Sequence, residues 1–225
     1  MEDKNGDVCA VRKLTFSKDG IDELNNECQG LRWYMDERGI QADTNILQED
    51  IGKKTGKLIL RYIPGETVDI LASPKIIIPR FASMLEHYTE VFSKCDFTVS
   101  HGDYSVNNHI FNDDRVHWII DWEHFNKELP PGYDLIYAFC EPFFFWLLHK
   151  KSIPQKAVNQ GQDYLNRAQK LIGFDKETLQ QPGEWLHNRG MEHKKVWGKQ
   201  FAKMPFTIEK QYWVIKKLDE MLGQC

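Results

Sequence analysis

The sequence predicts an α+β fold in which a small mixed half precedes a larger, mostly helical half. Two observations support this prediction. Before residue 65, a helix with regular apolar spacing precedes two extended segments joined by a glycine-containing turn, whereas after Gly132 the apolar spacing is helical almost throughout. We place the boundary at Ile63-Pro64-Gly65, where proline and glycine interrupt regular structure, so the predicted domains are residues 1–65 and 66–225.

The first half contains one predicted helix and three predicted strands. The helix covers residues 18–38, with Ser17 or Asp19 as its cap and Gly39 just after its end. Four apolar residues recur along it at helical spacing, namely Leu24, Cys28, Leu31 and Met35. The predicted strands are residues 8–14, 45–51 and 57–62.

The second half begins with a predicted helix at residues 76–93 and a strand at 97–100. A hairpin follows, because the extended segments 109–111 and 116–120 flank the turn-forming residues Asn112-Asp113-Asp114-Arg115. Four further helices are predicted, at about residues 133–149, 154–172, 176–202 with interruptions, and 207–222.

Composition limits the classes of function. With 41% apolar and 28% charged residues the chain is typical of soluble globular proteins, and its net charge of −4 argues against a dedicated nucleic-acid binder. Its five cysteines are scattered without metal-binding spacing, which favours a reduced, cytoplasmic protein. The polar N-terminus lacks a signal-peptide core, and the longest apolar run, Pro142–Leu148, is too short to span a membrane.

The most informative segment places three oxygen-bearing side chains at the ends of short apolar strands. It contains His101-Gly102-Asp103, then Asn108, and then the strand end Ile120-Asp121-Trp122-Glu123. Phosphoryl transfer from a magnesium nucleotide requires one carboxylate that takes a hydroxyl proton, plus an amide and a second carboxylate that hold metal. Taken singly, each residue could instead be an ordinary turn residue after a strand.

These motifs resemble the aminoglycoside phosphotransferase and choline kinase family, small-molecule kinases with a protein-kinase-like fold. In that family H-G-D, an asparagine five residues after the aspartate, and an apolar strand ending I-D-W/F-E follow in this order. Gly132-Tyr133-Asp134-Leu135 resembles a shortened form of the family's later G-x-x-x-D-L segment. Over residues 8–140 the resemblance implies a two-lobed fold, with a reduced β lobe carrying one helix and a helical C-terminal lobe carrying a catalytic hairpin.

The resemblance implies catalytic and metal-binding roles. Asp103 would be the catalytic base that accepts the proton of the acceptor hydroxyl. Asn108 and Asp121 would hold Mg²⁺, which prefers hard oxygen ligands. Glu123 would either assist a second metal or face water.

Two further residues would support the catalytic loop. His101 would brace the loop by hydrogen bonding and take no acid–base role. Asp134 would either fix the loop by accepting backbone N–H bonds or simply cap the helix that follows.

Upstream matches concern the nucleotide. Val11-Arg12-Lys13-Leu14 resembles the strand with the family's phosphate-binding lysine, so Lys13 would contact the phosphates of ATP and Glu27 would hold it in place. Arg12 is an adjacent rival that strand alternation would turn to the opposite face. The adenine would meet the backbone of three consecutive residues, Arg61, Tyr62 and Ile63.

The start of the chain departs from the family pattern. Only 12 residues precede Lys13, and Gly6 is the one glycine among them, so no glycine-rich phosphate loop is visible. We therefore expect the grip on the phosphates to be weaker, supplied differently, or completed by another chain, such as the second subunit of a homodimer.

The predicted function is an ATP- and Mg²⁺-dependent phosphotransferase that acts on a hydroxyl of a small molecule or glycan. The alternative is a weak or inactive kinase-like module that binds nucleotide or a partner protein, because the phosphate-covering part is short. A protein kinase is disfavoured, since the sequence has no D-F-G and no A-P-E motif. The acceptor's identity and the choice between ATP and GTP stay open.

Overall fold

A computed structural model describes residues 1, 7–95, 97, 99–125, 129–192 and 208–223, and this part of the chain is α+β as predicted. Its strands are β1 (Ala10–Thr15), β2 (Ile46–Ile51), β3 (Gly56–Arg61), β4 (His109–Asn112) and β5 (Arg115–Ile119). Its helices are α1 (Lys18–Glu37), α2 (Pro74–Phe92), α3 (Tyr133–Leu148), α4 (Gln155–Ile172), α5 (Lys176–Gln180), α6 (Pro182–Glu192) and α7 (Ile208–Leu222).

The three strands before residue 65 form an antiparallel sheet with β3 in the centre. Lys13 pairs with Leu58 across β1 and β3, and it is half-buried while Arg12 is exposed, because neighbouring strand residues face opposite sides. Helix α1 packs on this sheet through Leu24 and Cys28. Ser17 caps the helix, and its Oγ accepts a hydrogen bond from the Gly20 amide at 3.1 Å, so Ser17 is the cap among the two candidates.

The predicted hairpin is formed by β4 and β5, with His109 opposite Ile119. Asp113 and Asp114 turn the chain with φ angles of 48° and 68°, a left-handed conformation that aspartate tolerates. The backbone of Glu66 pairs with Phe111 in both directions, at N···O distances of 2.9 and 2.8 Å. This bridge attaches the segment that follows β3 to the hairpin.

Helices α2, α3 and α4 pack together to form most of the core. In α3 the aromatic side chains of Phe143, Phe144 and Trp146 are fully buried in this core. The Trp146 indole N–H donates to the Ala72 carbonyl at 2.9 Å, which satisfies its one polar group. No helix within the described residues is long and apolar enough to cross a membrane.

One predicted element differs from the structure. The strand predicted at 97–100 does not begin at Phe97, which has a φ of 56° and whose N–H donates to the Phe92 carbonyl at 3.1 Å, closing the end of α2; Thr98 lies outside the described residues. The segment predicted as helical with interruptions over 176–202 forms α5 and α6, and the interruption lies at Gln181, since Pro182 begins a new helix. Its last part, from residue 193, lies outside the described residues.

Candidate active site

The loop that contains the H-G-D motif is held by the buried carboxylate of Asp134. Its Oδ1 accepts hydrogen bonds from Ser100 Oγ at 2.7 Å and from the Gly102 amide at 2.9 Å, and its Oδ2 accepts one from the His101 amide at 2.7 Å. Burial raises the pKa of Asp134 to about 6, although these three donors oppose the shift. Asp134 lies in the first turn of α3, whose N-cap is Gly132, so the carboxylate orders the loop instead of capping the helix.

His101 connects this loop to the end of β5. Its Nδ1 accepts a hydrogen bond from the Asp103 amide at 3.3 Å, so Nε2 carries the hydrogen and donates it to the Ile120 carbonyl at 3.0 Å. The ring is fully buried, and burial lowers its pKa to about 3, which keeps it neutral. His101 therefore couples the position of Asp103 to the residue before Asp121.

Gly102 permits the close approach of this loop to the turn after β5. It has a φ of 83°, and a Cβ at this position would lie 2.2 Å from the His124 carbonyl oxygen. We expect Gly102→Ala to lower the free energy of unfolding by about 2–4 kcal/mol, because it adds a backbone clash to left-handed strain. Gly39→Ala is the matched control: φ is 67° with open space around it, and the cost should be about 1 kcal/mol. Urea denaturation of both variants measures the difference.

Asp103 presents a carboxylate oxygen that is excluded from solvent. Among the described residues its Oδ1 has no hydrogen-bond partner. Burial raises the pKa of Asp103 to about 6, while His124 and hydrogen bonds from Tyr137 and Asn108 oppose the shift. At neutral pH the group is therefore ionised, and a desolvated carboxylate in this state can accept a proton from a hydroxyl.

Asn108 lies between Asp103 and the end of β5. The Asn108 side-chain Nδ2 donates to the backbone carbonyl of Asp103 at 3.0 Å. The backbone carbonyl of Asn108 accepts from the Ile120 amide at 2.9 Å. Asp121 follows in a left-handed conformation, with a φ of 66°, where the strand ends. The two predicted metal ligands thus belong to adjoining backbone segments that hydrogen bonds hold together.

Lys13 forms ion pairs with carboxylates from two different elements. Its Nζ lies 2.7 Å from Glu27 Oε2 on α1 and 2.5 Å from Asp121 Oδ1 after β5. Burial works against the charged amine, but the two carboxylates outweigh it and raise the pKa of Lys13. Glu27 is only 1% exposed, and its burial raises its pKa against the opposing effect of Lys13. Residues far apart in the sequence are thereby joined at one point.

Three carboxylates surround this point. Ligand oxygens of Glu27, Asp121 and Glu123 all lie within 4.8 Å of one another. Glu123 Oε1 is also 3.3 Å from His124 Nε2. Carboxylate and amide oxygens are the hard donors that Mg²⁺ prefers, so the donor set of this cluster, with Asn108 nearby, fits that metal.

A cavity of about 430 Å³ adjoins the ion-paired lysine. Lys13, Glu27 and Asp121 supply its charged wall, and Arg61, Tyr62 and Ile63 also line it. The other walls are mainly apolar, from Val11, Leu31, Leu60, Ile110, Trp118 and Ile120. Every residue predicted for the nucleotide therefore lines one cavity, which combines an apolar slot with a few convergent charges, as ligand sites do.

Two backbone N–H groups along this cavity are already hydrogen bonded within the protein. The Arg61 N–H donates to the Asn45 carbonyl at 2.8 Å, and the Tyr62 N–H donates to the Cys9 carbonyl at 3.1 Å. These two amides are consequently used by the protein itself and are not available to a ligand edge. Asn45, a cavity-lining residue that the sequence did not single out, also binds the Arg61 carbonyl through Nδ2 at 3.4 Å.

Sequence reasoning also missed two residues of α3 near Asp103. The Tyr137 hydroxyl is hydrogen bonded to the Asp103 carboxylate and to Glu141 Oε1, the latter at 2.7 Å. A signal for both was present, because Asp134, Tyr137 and Glu141 recur at helical spacing within an otherwise apolar helix. Polar groups on one face of a buried helix indicate a shared partner.

Comparison with known proteins gives a match among solved structures. No protein-family model matches the chain, and no curated protein matches it. Among solved structures it is similar to an aminoglycoside phosphotransferase from Streptomyces rimosus, determined in complex with ADP and streptomycin, at 11% identity. The match covers 100% of this chain and 90% of that chain, with a TM-score of 0.45. At such low values the activity of that enzyme does not transfer to this chain, and any function must be supported by the site itself.

Proposed function

We propose that this protein transfers the γ-phosphoryl group of ATP to a hydroxyl of a small molecule or glycan, with Mg²⁺ as cofactor. The observation that supports it best is the junction at Lys13, which pairs with Glu27 and Asp121 at the wall of an apolar cavity. His101 links this junction to the loop that carries Asp103. The cation proposed for the phosphates, the oxygens proposed for the metal and the proposed base are thereby linked.

The nucleotide would occupy the cavity. Its apolar walls suit an adenine ring, and the Lys13 ammonium suits the α- and β-phosphates, with Glu27 holding the lysine in place. The cavity is lined by residues from both sides of the predicted boundary at residue 65, such as Val11 before it and Thr67 after it. This is consistent with the two-lobed arrangement, which stays a prediction.

Asp121 and Asn108 would hold Mg²⁺, with Glu123 close enough to assist. When bound, the metal would neutralise charge on the phosphate oxygens. Since Lys13 pairs with Asp121 as well as Glu27, the lysine can exchange a carboxylate for phosphate contacts when nucleotide and metal arrive. Glu27 would retain the ammonium throughout.

Asp103 would act on the acceptor. Its Oδ1, which has no partner among the residues that the structure describes, accepts the hydroxyl proton as the acceptor oxygen bonds to the γ-phosphorus, and the bond from that phosphorus to the β-bridging oxygen breaks to release ADP. Tyr137, Asn108 and the neutral His101 ring orient the carboxylate and its loop. Their contribution is positioning and charge stabilisation.

A nucleotide-binding module without transfer is the second candidate. One observation favours it: Asp121 Oδ1, an oxygen that the metal would need, is already bonded to Lys13 at 2.5 Å. If that pair persists with nucleotide bound, the protein would bind ATP without activating it.

Nucleotide binding and turnover are tested separately. We expect saturating ATP with Mg²⁺ to raise the melting temperature by about 5–10 °C, as binding at 100 times Kd contributes about 2.7 kcal/mol. Leu60→Trp, which fills the cavity, should abolish the shift, whereas Leu47→Trp at an exposed strand position should keep it. Failure of both ATP and GTP to shift the wild type would refute the nucleotide site. A shift without ADP release on pooled hydroxyl acceptors would favour the second candidate.

A further inference from the structure

Glu141 is a carboxyl group that the proposed chemistry does not use directly. It lies in the middle of α3 and is 2% exposed. Its Oε1 is 2.7 Å from the Tyr137 hydroxyl, and its Oε2 is hydrogen bonded to Ser105 Oγ, two residues after Asp103. A buried carboxyl in this position has to be matched with donors and acceptors on every side.

The hydrogen bonds from Asp103 to Ser105 have a direction that one backbone carbonyl fixes. The Asp103 carbonyl can only accept, so the Asn108 group that faces it at 3.0 Å is Nδ2. Asn108 Oδ1 then faces Asn107 and receives its Nδ2 at 3.3 Å. Asn107 Oδ1 is left to accept from Ser105 Oγ. Reversing either amide would set two acceptors against each other.

This direction of the hydrogen bonds determines the protonation state of Glu141. Ser105 has a single hydroxyl hydrogen, which it gives to Asn107 Oδ1, so its contact with Glu141 Oε2 needs a hydrogen from the glutamate. The Tyr137 hydroxyl cannot relieve this shortage, because its one hydrogen is shared between Glu141 and the Asp103 carboxylate. An ionised Glu141 would leave one of these contacts as a repulsive pair of acceptors.

We propose that Glu141 is held protonated at neutral pH and, through Ser105 and Asn107, stabilises the Asn108 amide in the orientation that the Asp103 carbonyl sets. Glu141 is then a positioning residue for the metal-binding asparagine, an assignment that rests on the proposed phosphotransferase function. The hydrogen-bond chain runs from Tyr137 through Glu141 and Ser105 to the two asparagines.

The electrostatic surroundings agree with this assignment. Burial raises the pKa of Glu141 to about 8, the charge of Asp103 adds to the shift, and hydrogen bonds from Ser105 and Tyr137 oppose it. A negative charge on Asp103 keeps the proton on Glu141. Among the described residues, Tyr137 and Tyr133 of the same helix also face Glu141, and burial raises the pKa of both.

Loss of the proton would break the chain between Ser105 and Asn107. As the pH rises past about 8, Ser105 would turn its hydrogen to the Glu141 carboxylate, and Asn107 would lose its donor. We expect wild-type transfer activity to decline over this range while its apparent affinity for Mg²⁺ falls.

Glu141→Gln tests the direction of the chain. The glutamine amide would donate to Ser105 and its oxygen would accept from Tyr137, and it cannot ionise, so this variant should keep most of the neutral activity and lose the alkaline decline. Glu141→Met should raise the Mg²⁺ concentration for half-maximal rate about tenfold or more, as loss of outer-shell ligands does. Cys140→Ala, at the adjacent buried position, is the packing control and should leave the Mg²⁺ dependence unchanged.

A readout without turnover separates this inference from the proposed function. Infrared spectra of the ligand-free protein at pH 7 should show a protonated carboxyl band that Glu141→Gln removes and that disappears as the pH is raised. Absence of that band would overturn the inference whatever the activity. An unchanged alkaline decline in active Glu141→Gln would overturn the positioning role. A band present in a protein without transfer activity would support the proton on Glu141 and refute the phosphotransferase instead.

Discussion

Asp103→Asn is expected to lower kcat by about 10²–10⁴-fold, the range that a positioned general base contributes. Asparagine has the same shape but cannot accept the proton of the acceptor hydroxyl. Asp103 does not line the nucleotide cavity, so the rise in melting temperature with ATP should persist in the variant. Steady-state ADP release, measured beside thermal shifts, tests both expectations.

The pH dependence of the wild type gives a second test of the same residue. Because burial raises the pKa of Asp103 to about 6, the base is ionised above that pH, and activity should rise as the pH increases through about 6. A raised pKa also means that the folded protein binds the proton more tightly than the unfolded chain. The stability that the proton on Asp103 contributes is therefore lost as the pH rises through about 6.

Asp103→Asn should therefore affect stability and activity differently. Asp103→Asn removes a buried charge and should be at least as stable as the wild type at pH 7, although nearly inactive. Asp113→Asn, at the exposed tip of the hairpin, is the matched control and should change neither property. Full activity in Asp103→Asn would show that another group serves as the base.

The regular elements were predictable because their signals are local. Helix α1 has its cap at Ser17 and its apolar residues at helical spacing, so its start is correct to the residue. The hairpin of β4 and β5 follows from its turn residues Asp113 and Asp114. By contrast, the strand predicted at 97–100 does not begin at Phe97, because the left-handed backbone of this residue closes the end of α2.

Site residues that belong to a sequence motif were predicted, whereas residues that only tertiary packing brings to the site were missed. The sequence pointed to Lys13, Glu27 and Asp121 separately, and the structure brings the three together. Glu141 belongs to no motif, and its helical spacing with Asp134 and Tyr137 signals a polar face without showing which loop lies against it. Its partners became visible only once α3 was packed beneath Asp103.

Lys13→Met is expected to reduce activity by about 10²–10³-fold, because it removes the cation proposed to face the phosphates. It should also lower the free energy of unfolding by about 1–3 kcal/mol, since Glu27 is only 1% exposed and would lose its ion-pair partner. The cost stays at this level because the Lys13 side chain is 28% exposed and partly solvated. Arg12→Met on the opposite, exposed face is the control.

A second substitution separates the two effects of Lys13. In Lys13→Met/Glu27→Gln the buried carboxylate is gone, so the double variant should recover most of the stability lost in Lys13→Met. It should not recover activity, because no cation faces the phosphates. Denaturation midpoints and ATP turnover of the two single variants and the double variant complete the cycle. If activity returned together with stability, Lys13 would be a structural partner of Glu27, and the ion pair would no longer support a phosphate site.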